Sequence, residues 1–388
     1  MKFLRDFDFK GKKVVFRADF NVPLSEDRKI DNKRDWRIKA TLPSINYLLN
    51  HGASIILLSH LGRPKGEIKE NLRLDPVIER FKKLLGRKIT KLNSCLGSEV
   101  EDKIKNINPG EIIALENIRF YSEEENNNLD FAKKLASYGN VYVNDAFSAS
   151  HREHASLVGI TNFLPSYAGL LLENEINALS DILEKSKKPL VVIIGGSKIS
   201  TKIKFIKNFL IKADDLLLGG ALANTVIAAK GFVIGKSFSE QDMVDDVKKM
   251  DLTNVKLHLP VDAIASSDPL KKKSSRIAAV GKTKRNEMIL DIGPDTVKLY
   301  KDIIFQAKTV IWNGPMGMIE NDEFAKGSKE IAKIITEANN FSVVGGGDSV
   351  CLLEGMNLID KIDHICTGGG AMLKFLAEEK LPGIEALK

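Results

Sequence analysis

The chain has 388 residues, 43% of them apolar and 28% charged, with 58 Lys and Arg against 51 Asp and Glu. That length exceeds one ordinary core and asks for two domains, and the composition is that of a globular chain, not a disordered or fibrous one. No run of about 18 uncharged apolar residues occurs, which argues against a membrane-spanning helix, and three cysteines without ligand spacing argue against a disulfide framework or a zinc site.

The first residues, Met1-Lys2-Phe3-Leu4-Arg5-Asp6, are charged where a signal peptide needs an apolar stretch, so a cytoplasmic protein with reduced thiols is expected. Short apolar runs then recur: Val14-Val15-Phe16, followed by 54–58, 112–115, 141–143, 190–194, 216–218, 256–259, 309–312, 342–344 and 362–365. Amphipathic stretches with helical spacing, such as 76–85 and 325–338, lie between most of them. Alternation of helices with nearly continuous apolar strands predicts buried parallel sheets, and so many strands predict two doubly wound α/β domains in preference to one wide sheet. The boundary is expected near 165–175, where Pro165 suits a first helical turn and the helix runs on to about 183. The acidic and Asn-rich segment 123–128 reads as a solvated loop or helix start.

In open α/β sheets ligands sit at the carboxyl ends of strands, so the residues after each apolar run are the candidates. In the first half they are Arg17-Ala18-Asp19-Phe20-Asn21, Ser59-His60-Leu61-Gly62-Arg63-Pro64, Glu116-Asn117-Ile118-Arg119, and Asn144-Asp145-Ala146-Phe147 leading to His151-Arg152. Guanidinium forks of this kind bind anions bidentately. The charge agrees: residues 1–170 hold 28 Lys and Arg against 22 acids, and the remainder 30 against 29. The basic residues stand singly, without tracts or interleaved aromatics, which favours a small anionic metabolite over nucleic acid.

The second half is glycine-rich at the same places: Gly195-Gly196-Ser197-Lys198, Gly219-Gly220-Ala221, Asn313-Gly314-Pro315, Gly345-Gly346-Gly347-Asp348 and Thr367-Gly368-Gly369-Gly370. Backbone amides and helix N-termini of this kind make a bed for nucleotide phosphates. Lys198 and Lys202, four apart, are expected on one face of a helix start, where phosphates would offset their conflict with the helix dipole. Asp348 would repel a bare phosphate, a conflict that a bridging magnesium ion removes. Neither a Walker A loop nor an opening Gly-x-Gly-x-x-Gly fingerprint is present.

Together these motifs resemble the phosphoglycerate kinase family, in the family's order and along essentially the whole chain. Arg17-Ala18-Asp19-Phe20-Asn21-Val22-Pro23 is similar to its opening signature, with Ala18 where Val is common. Ile289, before Asp291-Ile292-Gly293-Pro294, stands where Gly is frequent. The resemblance implies two Rossmann-like lobes facing a cleft that closes about a hinge helix at about 165–183. Residues 1–169, with a tail 375–388 that packs back on them, would bind 3-phosphoglycerate, and 170–374 would bind the nucleotide. It implies the reaction 1,3-bisphosphoglycerate + ADP ⇌ 3-phosphoglycerate + ATP, with magnesium, in a monomer with no nucleic-acid or membrane partner.

Position by position, Asp19, Phe20, Asn21, His60, Leu61, Gly62, Arg63, Arg119 and Arg152 resemble the substrate site, and Arg37 the arginine near the transferred group. Gly196, Ser197, Lys198 and Lys202 resemble the nucleotide's phosphate site. Gly219, Gly220, Leu222, Leu290, Asn313 and Pro315 resemble the adenosine site, with Glu320 on the ribose. Gly346, Gly347, Asp348 and Ser349 resemble the magnesium side, with Asp348 as the metal carboxylate. Arg37, Lys198, Gly347 and Gly370 would surround the transferred group. Two rival readings are another carboxylate kinase, such as an acetate-kinase-like enzyme, and a nucleic-acid binder suggested by the basic pI of about 9.0. The abundance of cations in the first half argues against a small acid that carries no phosphate of its own.

Overall fold

Val14, Val15 and Phe16 are fully buried in strand β1 (Lys13–Arg17), which lies between two parallel neighbours, β2 (Ser54–Leu58) and β5 (Val141–Asn144). β-branched and aliphatic residues buried on both faces are what a helix-covered parallel strand demands. The computed structural model describes residues 1–25, 27–30, 35–270 and 275–388. The chain divides into two units, Met1–Leu179 with Glu379–Lys388, and Ser180–Glu378.

In the first unit, β3 (Thr90–Lys91), β4 (Ile112–Ala114) and β6 (Ser166–Ala168) complete a six-stranded parallel sheet of order β3-β4-β2-β1-β5-β6. Helix Trp36–Asn50 turns Ile38, Ile45, Leu48 and Leu49 into its core, and helix Asp75–Leu85 adds Val77, Ile78 and Phe81. The tail packs on this unit: Gly383 donates its N–H to Ser150 O (2.9 Å), and its carbonyl accepts from Asn144 Nδ2 (3.2 Å).

The second unit repeats the plan. Strands β7 (Leu190–Ile194), β8 (Asp215–Leu218), β9 (Leu257–His258), β13 (Thr309–Asn313), β14 (Phe341–Gly345) and β15 (His364–Cys366) form a parallel sheet of order β15-β14-β13-β7-β8-β9. Its core gathers Trp312, Tyr300, Ile331 and Val344. Beside it, β10 (Asp262–Ser266) pairs antiparallel with β11 (Ser275–Ala279) and β12 (Met288–Ile292).

Each of the ten apolar runs read from the sequence overlaps a strand, and the two parallel sheets stand as expected. Two local expectations do not, and a third holds only in part. Pro165 starts no helical turn: its carbonyl accepts from Tyr142 N (2.9 Å), so 166–168 pairs with β5 as β6 and the helix begins at Leu170. Lys198 is not on a helix: the turn after Gly196 delays helix Ile203–Lys212, and Lys202 is its N-cap. The antiparallel sheet carries no such signal in the sequence, because its consecutive strands are only partly buried and their apolar residues do not form a clear run or alternation.

The segment 123–128 does carry a helix start and is largely solvated, with Glu124 as the departure. Glu124 belongs to helix Ser122–Glu125 but is fully buried, accepting from Ser156 N (2.9 Å) and Ser156 Oγ (2.7 Å), with His154 Nδ1 at 3.6 Å. Burial opposes its charge, but His154 and Arg17 outweigh that and hold the carboxyl below the ordinary range. A buried charge stripped of its partner is costly. Glu124→Ala is therefore expected to destabilise the first unit by about 3–5 kcal/mol, read as a lower urea midpoint. A midpoint equal to that of the unaltered chain would show that the carboxylate carries no such charge balance.

Candidate active site

Because β1, β2, β4 and β5 run parallel, the segments that leave their carboxyl ends emerge on one edge of the first sheet. Asp19 follows β1 and is 8% exposed. Its carboxylate accepts from Asn21 N (2.9 Å) and Ser148 Oγ, and faces Arg37 Nη1 (3.5 Å) and His60 Nδ1 (3.7 Å). Burial raises its pKa, but Arg37, Ser148 and the Asn21 N–H together hold it well below the ordinary carboxylate range. Arg37, in the first turn of its helix, also donates to Asn21 O (2.8 Å). Asn21 Oδ1 accepts from Gly62 N (2.8 Å), and Arg119 Nη1 donates to Gly62 O (3.0 Å).

The arginines are under-compensated. Arg119 is 3% exposed and is pushed down to about 10 by burial and by the nearby charges of Arg17 and Arg152, against the opposing pull of Asp19 and of Glu125 at 3.7 Å. Arg152 is likewise lowered, by burial and by Arg63, which itself is exposed. Mutual destabilisation of cations at one spot is the electrostatic mark of a site for an anion. Asp19, Asn21, Arg37, His60, Gly62, Arg63, Arg119 and Arg152 are thus brought to one end of the sheet. Phe20 and Leu61 are not turned to it: both side chains are in the core, Phe20 against Phe81 with centroids 5.1 Å apart, so only their backbone borders the site. The sequence places Arg17 and Asn117 among the strand-end candidates without assigning either to the substrate site, and gives no signal for Ser148. Asn117 Oδ1 accepts from Leu61 N and Arg119 N, and its Nδ2 donates to Leu61 O and Leu72 O, tying the β2 and β4 loops together.

In the second unit the edge is made of backbone. A cavity of about 380 Å³ is walled by apolar side chains, among them Ile227, Phe238, Pro260, Val280, Ile289, Leu290 and Met316, with Gly196, Ser197, Gly220, Pro315, Glu320 and Asp348 on its lining. Much of that wall comes from β10, β12 and the residues around them, which is why sequence reading found only Leu290 of it. Asp291 is also there: burial pushes it up to about 7, against N–H groups of Gly327 and Ile292 that favour its charge. Beside the cavity, a hollow of about 210 Å³ is lined by Gly196, Ser197, Lys198, Lys202, Asn313, Gly346, Gly347 and Asp348. Gly220 has φ +65°, and a Cβ there would come within 2.8 Å of Pro315 O. Gly346 has φ +101°, which aims the chain into helix Gly347–Gly355 and leaves Gly347 and Asp348 exposed at its start.

Lys202 is partly buried and donates to Gly195 O (2.5 Å). Burial pushes it down to about 8, with Asp348 pulling the other way. Three expected contacts fall elsewhere. Leu222 is fully buried beneath the loop, its N–H on Gly196 O (3.0 Å). Ser349 is buried and its Oγ accepts from Gly314 N (2.9 Å). Asn313 lines the lysine hollow instead of the apolar cavity, and its buried Nδ2 has no hydrogen-bond partner among the described residues. Gly219 is buried against Met316, Glu320 is exposed on the cavity wall, and Gly370 is exposed with open space beside it.

A profile of the phosphoglycerate kinase family matches residues 4–379. The chain belongs to that family. A phosphoglycerate kinase of Moorella thermoacetica is 46% identical over 388 residues, covering 99% of this chain and 98% of the relative. One of Dictyoglomus turgidum is 46% identical over 390 residues, with the same coverage. Among solved structures, phosphoglycerate kinase from Coxiella burnetii has a TM-score of 0.82 at 37% identity, covering 99% of this chain and 98% of that one. That from Pyrococcus horikoshii has a TM-score of 0.88 at 32% identity, covering 100% and 98%. As a member of the family the chain is a glycolytic kinase, catalysing reversible phosphoryl transfer between 1,3-bisphosphoglycerate and ADP to give 3-phosphoglycerate and ATP. Among the described residues no helix is long and apolar enough to cross a membrane.

Proposed function

We propose that the two units divide the substrates of this phosphoglycerate kinase reaction, the first holding 3-phosphoglycerate or its acyl phosphate and the second holding ADP or ATP. The contrast between their linings carries this reading: crowded guanidiniums at one sheet edge, glycine backbone and an apolar cavity at the other. Arg63, Arg119 and Arg152 suit a phosphate, while Asp19 and Asn21 suit the neighbouring hydroxyl. The adenine would lie among the apolar side chains with Glu320 on the ribose, and the phosphates over the hollow, reached by Lys198, Lys202 and Asn313 Nδ2.

Chemically little more is needed than position and charge. The acyl phosphate is already activated, and in the other direction the nucleophile is a carboxylate, ionised at neutral pH, so no general base is assigned. Catalysis is then orientation plus neutralisation of a metaphosphate-like group in flight. The first unit would contribute Arg37 to this, and the second Lys198 with the amides of Gly347 and Gly370. The donor set fits magnesium: an exposed carboxylate, Asp348, beside a phosphate bed leaves room for the several waters the ion keeps. Magnesium held there would offset charge on the phosphates. With no disulfide among the described cysteines, the reading extends to a reducing compartment such as the cytoplasm.

A coupled assay with ATP, magnesium and either 3-phosphoglycerate or acetate tests the substrate, and turnover of acetate alone would reverse it. The division of labour predicts that Arg63→Ala raises KM for 3-phosphoglycerate about tenfold or more with little change for ATP, and that Glu320→Ala does the reverse. Arg37→Ala should lower kcat on the order of 10³-fold, as other phosphoryl-transfer arginines do. A near-normal kcat at saturation would remove Arg37 from the mechanism. Phosphate binding needs charged Lys202, whose proton leaves the free protein near pH 8, so KM for nucleotide should climb as pH rises through about 8. Lys202→Arg, which keeps its charge, should flatten that climb, and an unchanged slope would assign it to another group.

A further inference from the structure

Beneath the arginine edge lies a buried polar layer that the reading above does not use. Arg17, the last residue of β1, is fully buried. Its Nη1 donates to Ala18 O (2.5 Å), its Nε donates to Ser156 Oγ (3.0 Å), and its Nη2 lies 3.1 Å from Nδ1 of His60. Ser156 in turn donates to Glu124, the buried counter-charge of the layer. The guanidinium is therefore fixed from three sides and cannot swing away from the imidazole.

A guanidinium has only donors and keeps its proton in proteins. The ring nitrogen it faces must accept, so a neutral His60 carries its proton on Nε2. Among the described residues, the carboxylate nearest Nδ1 is Asp19, which is 3.7 Å away and already occupied by Asn21 N, Ser148 and Arg37. His60 is 3% exposed, and burial, with Arg119, Arg17 and Arg37 around it, outweighs the pull of Asp19 and keeps the ring from taking a second proton.

We propose that Arg17 is a positioning residue of the phosphoglycerate site, holding His60 in the neutral tautomer that presents an Nε2–H donor to the ligand. This rests on reading the first unit as the 3-phosphoglycerate domain. The histidine then supplies direction without charge, and the arginines alone neutralise the phosphate. A protonated His60 would be one more cation in a cluster that already lowers Arg119 and Arg152.

Nitrogen-15 NMR of histidine-labelled full chain tests this, with His60→Gln identifying the resonances. An acceptor-type Nδ1 and a protonated Nε2 are expected, unchanged from about pH 5.5 to about pH 8.5. A proton on Nδ1, or a midpoint near the ordinary histidine value of about 6.5, would overturn the proposal. In Arg17→Met the ring should titrate within that range, and KM for 3-phosphoglycerate should rise about tenfold and become pH-dependent, with a smaller fall in kcat. Arg17→Lys, which still offers a donor, should restore the tautomer. A His60 in Arg17→Met that keeps the same tautomer and pH-independence would also reject the role. Should Arg17→Met not fold, the spectra of the unaltered chain decide alone. The ligand reading fails separately: it would fall if saturating 3-phosphoglycerate left the His60 resonances unmoved.

Discussion

Parallel pairing is the constraint on which the rest of the structure depends. In each unit all six strands of the main sheet run one way, so their carboxyl ends share an edge. β1, β2, β7 and β13 are buried almost throughout, which leaves polar function nowhere to go but that edge. Asp19, His60, Arg119 and Arg152 therefore converge although more than 130 residues separate the first from the last. In the second unit the same geometry assembles Gly196, Gly220, Asn313 and Gly346 around one hollow and its adjoining cavity.

The two edges meet the cost of binding an anion in different ways. The first uses full charges and must prevent them from binding something of its own. Only a few carboxylates stand near the arginines, and Asp19 is itself satisfied by Asn21, Ser148 and Arg37. Arg119 keeps its place through Gly62 and Asn117, so repulsion among the guanidiniums is resisted by hydrogen bonds to backbone and amide groups. The second edge uses backbone dipoles, which need no counter-charge, and confines full charge to Lys198, Lys202 and Asp348.

Much of this was legible in the residues. Ten apolar runs became strands because a strand buried on both faces allows no polar break, and that is visible locally. The order of the motifs was enough for the family. Less legible were features decided by a distant partner. Pro165 looks like a helix start until Tyr142 donates to its carbonyl. Glu124 looks solvated until Ser156, His154 and Arg17 close over it. The antiparallel sheet has strands of five residues whose alternation is weak, so its share of the cavity wall left no trace in the pattern.

By itself the sequence determined the strand–helix alternation, the two parallel sheets, the family, and which strand ends carry arginine and which carry glycine. The tertiary structure alone decided which of those residues line the arginine edge, the hollow and the cavity. Phe20, Leu61, Leu222 and Ser349 stand inside the motifs yet turn into the protein, and Asn313 moves from the cavity to the hollow beside it. It also decided which ring nitrogen of His60 carries the proton, through an arginine 43 residues away. The physical reason is one of range. Periodicity and glycine placement act between neighbours in the chain, whereas facing, burial and protonation depend on contacts such as Arg17 to Ser156, which span 139 residues.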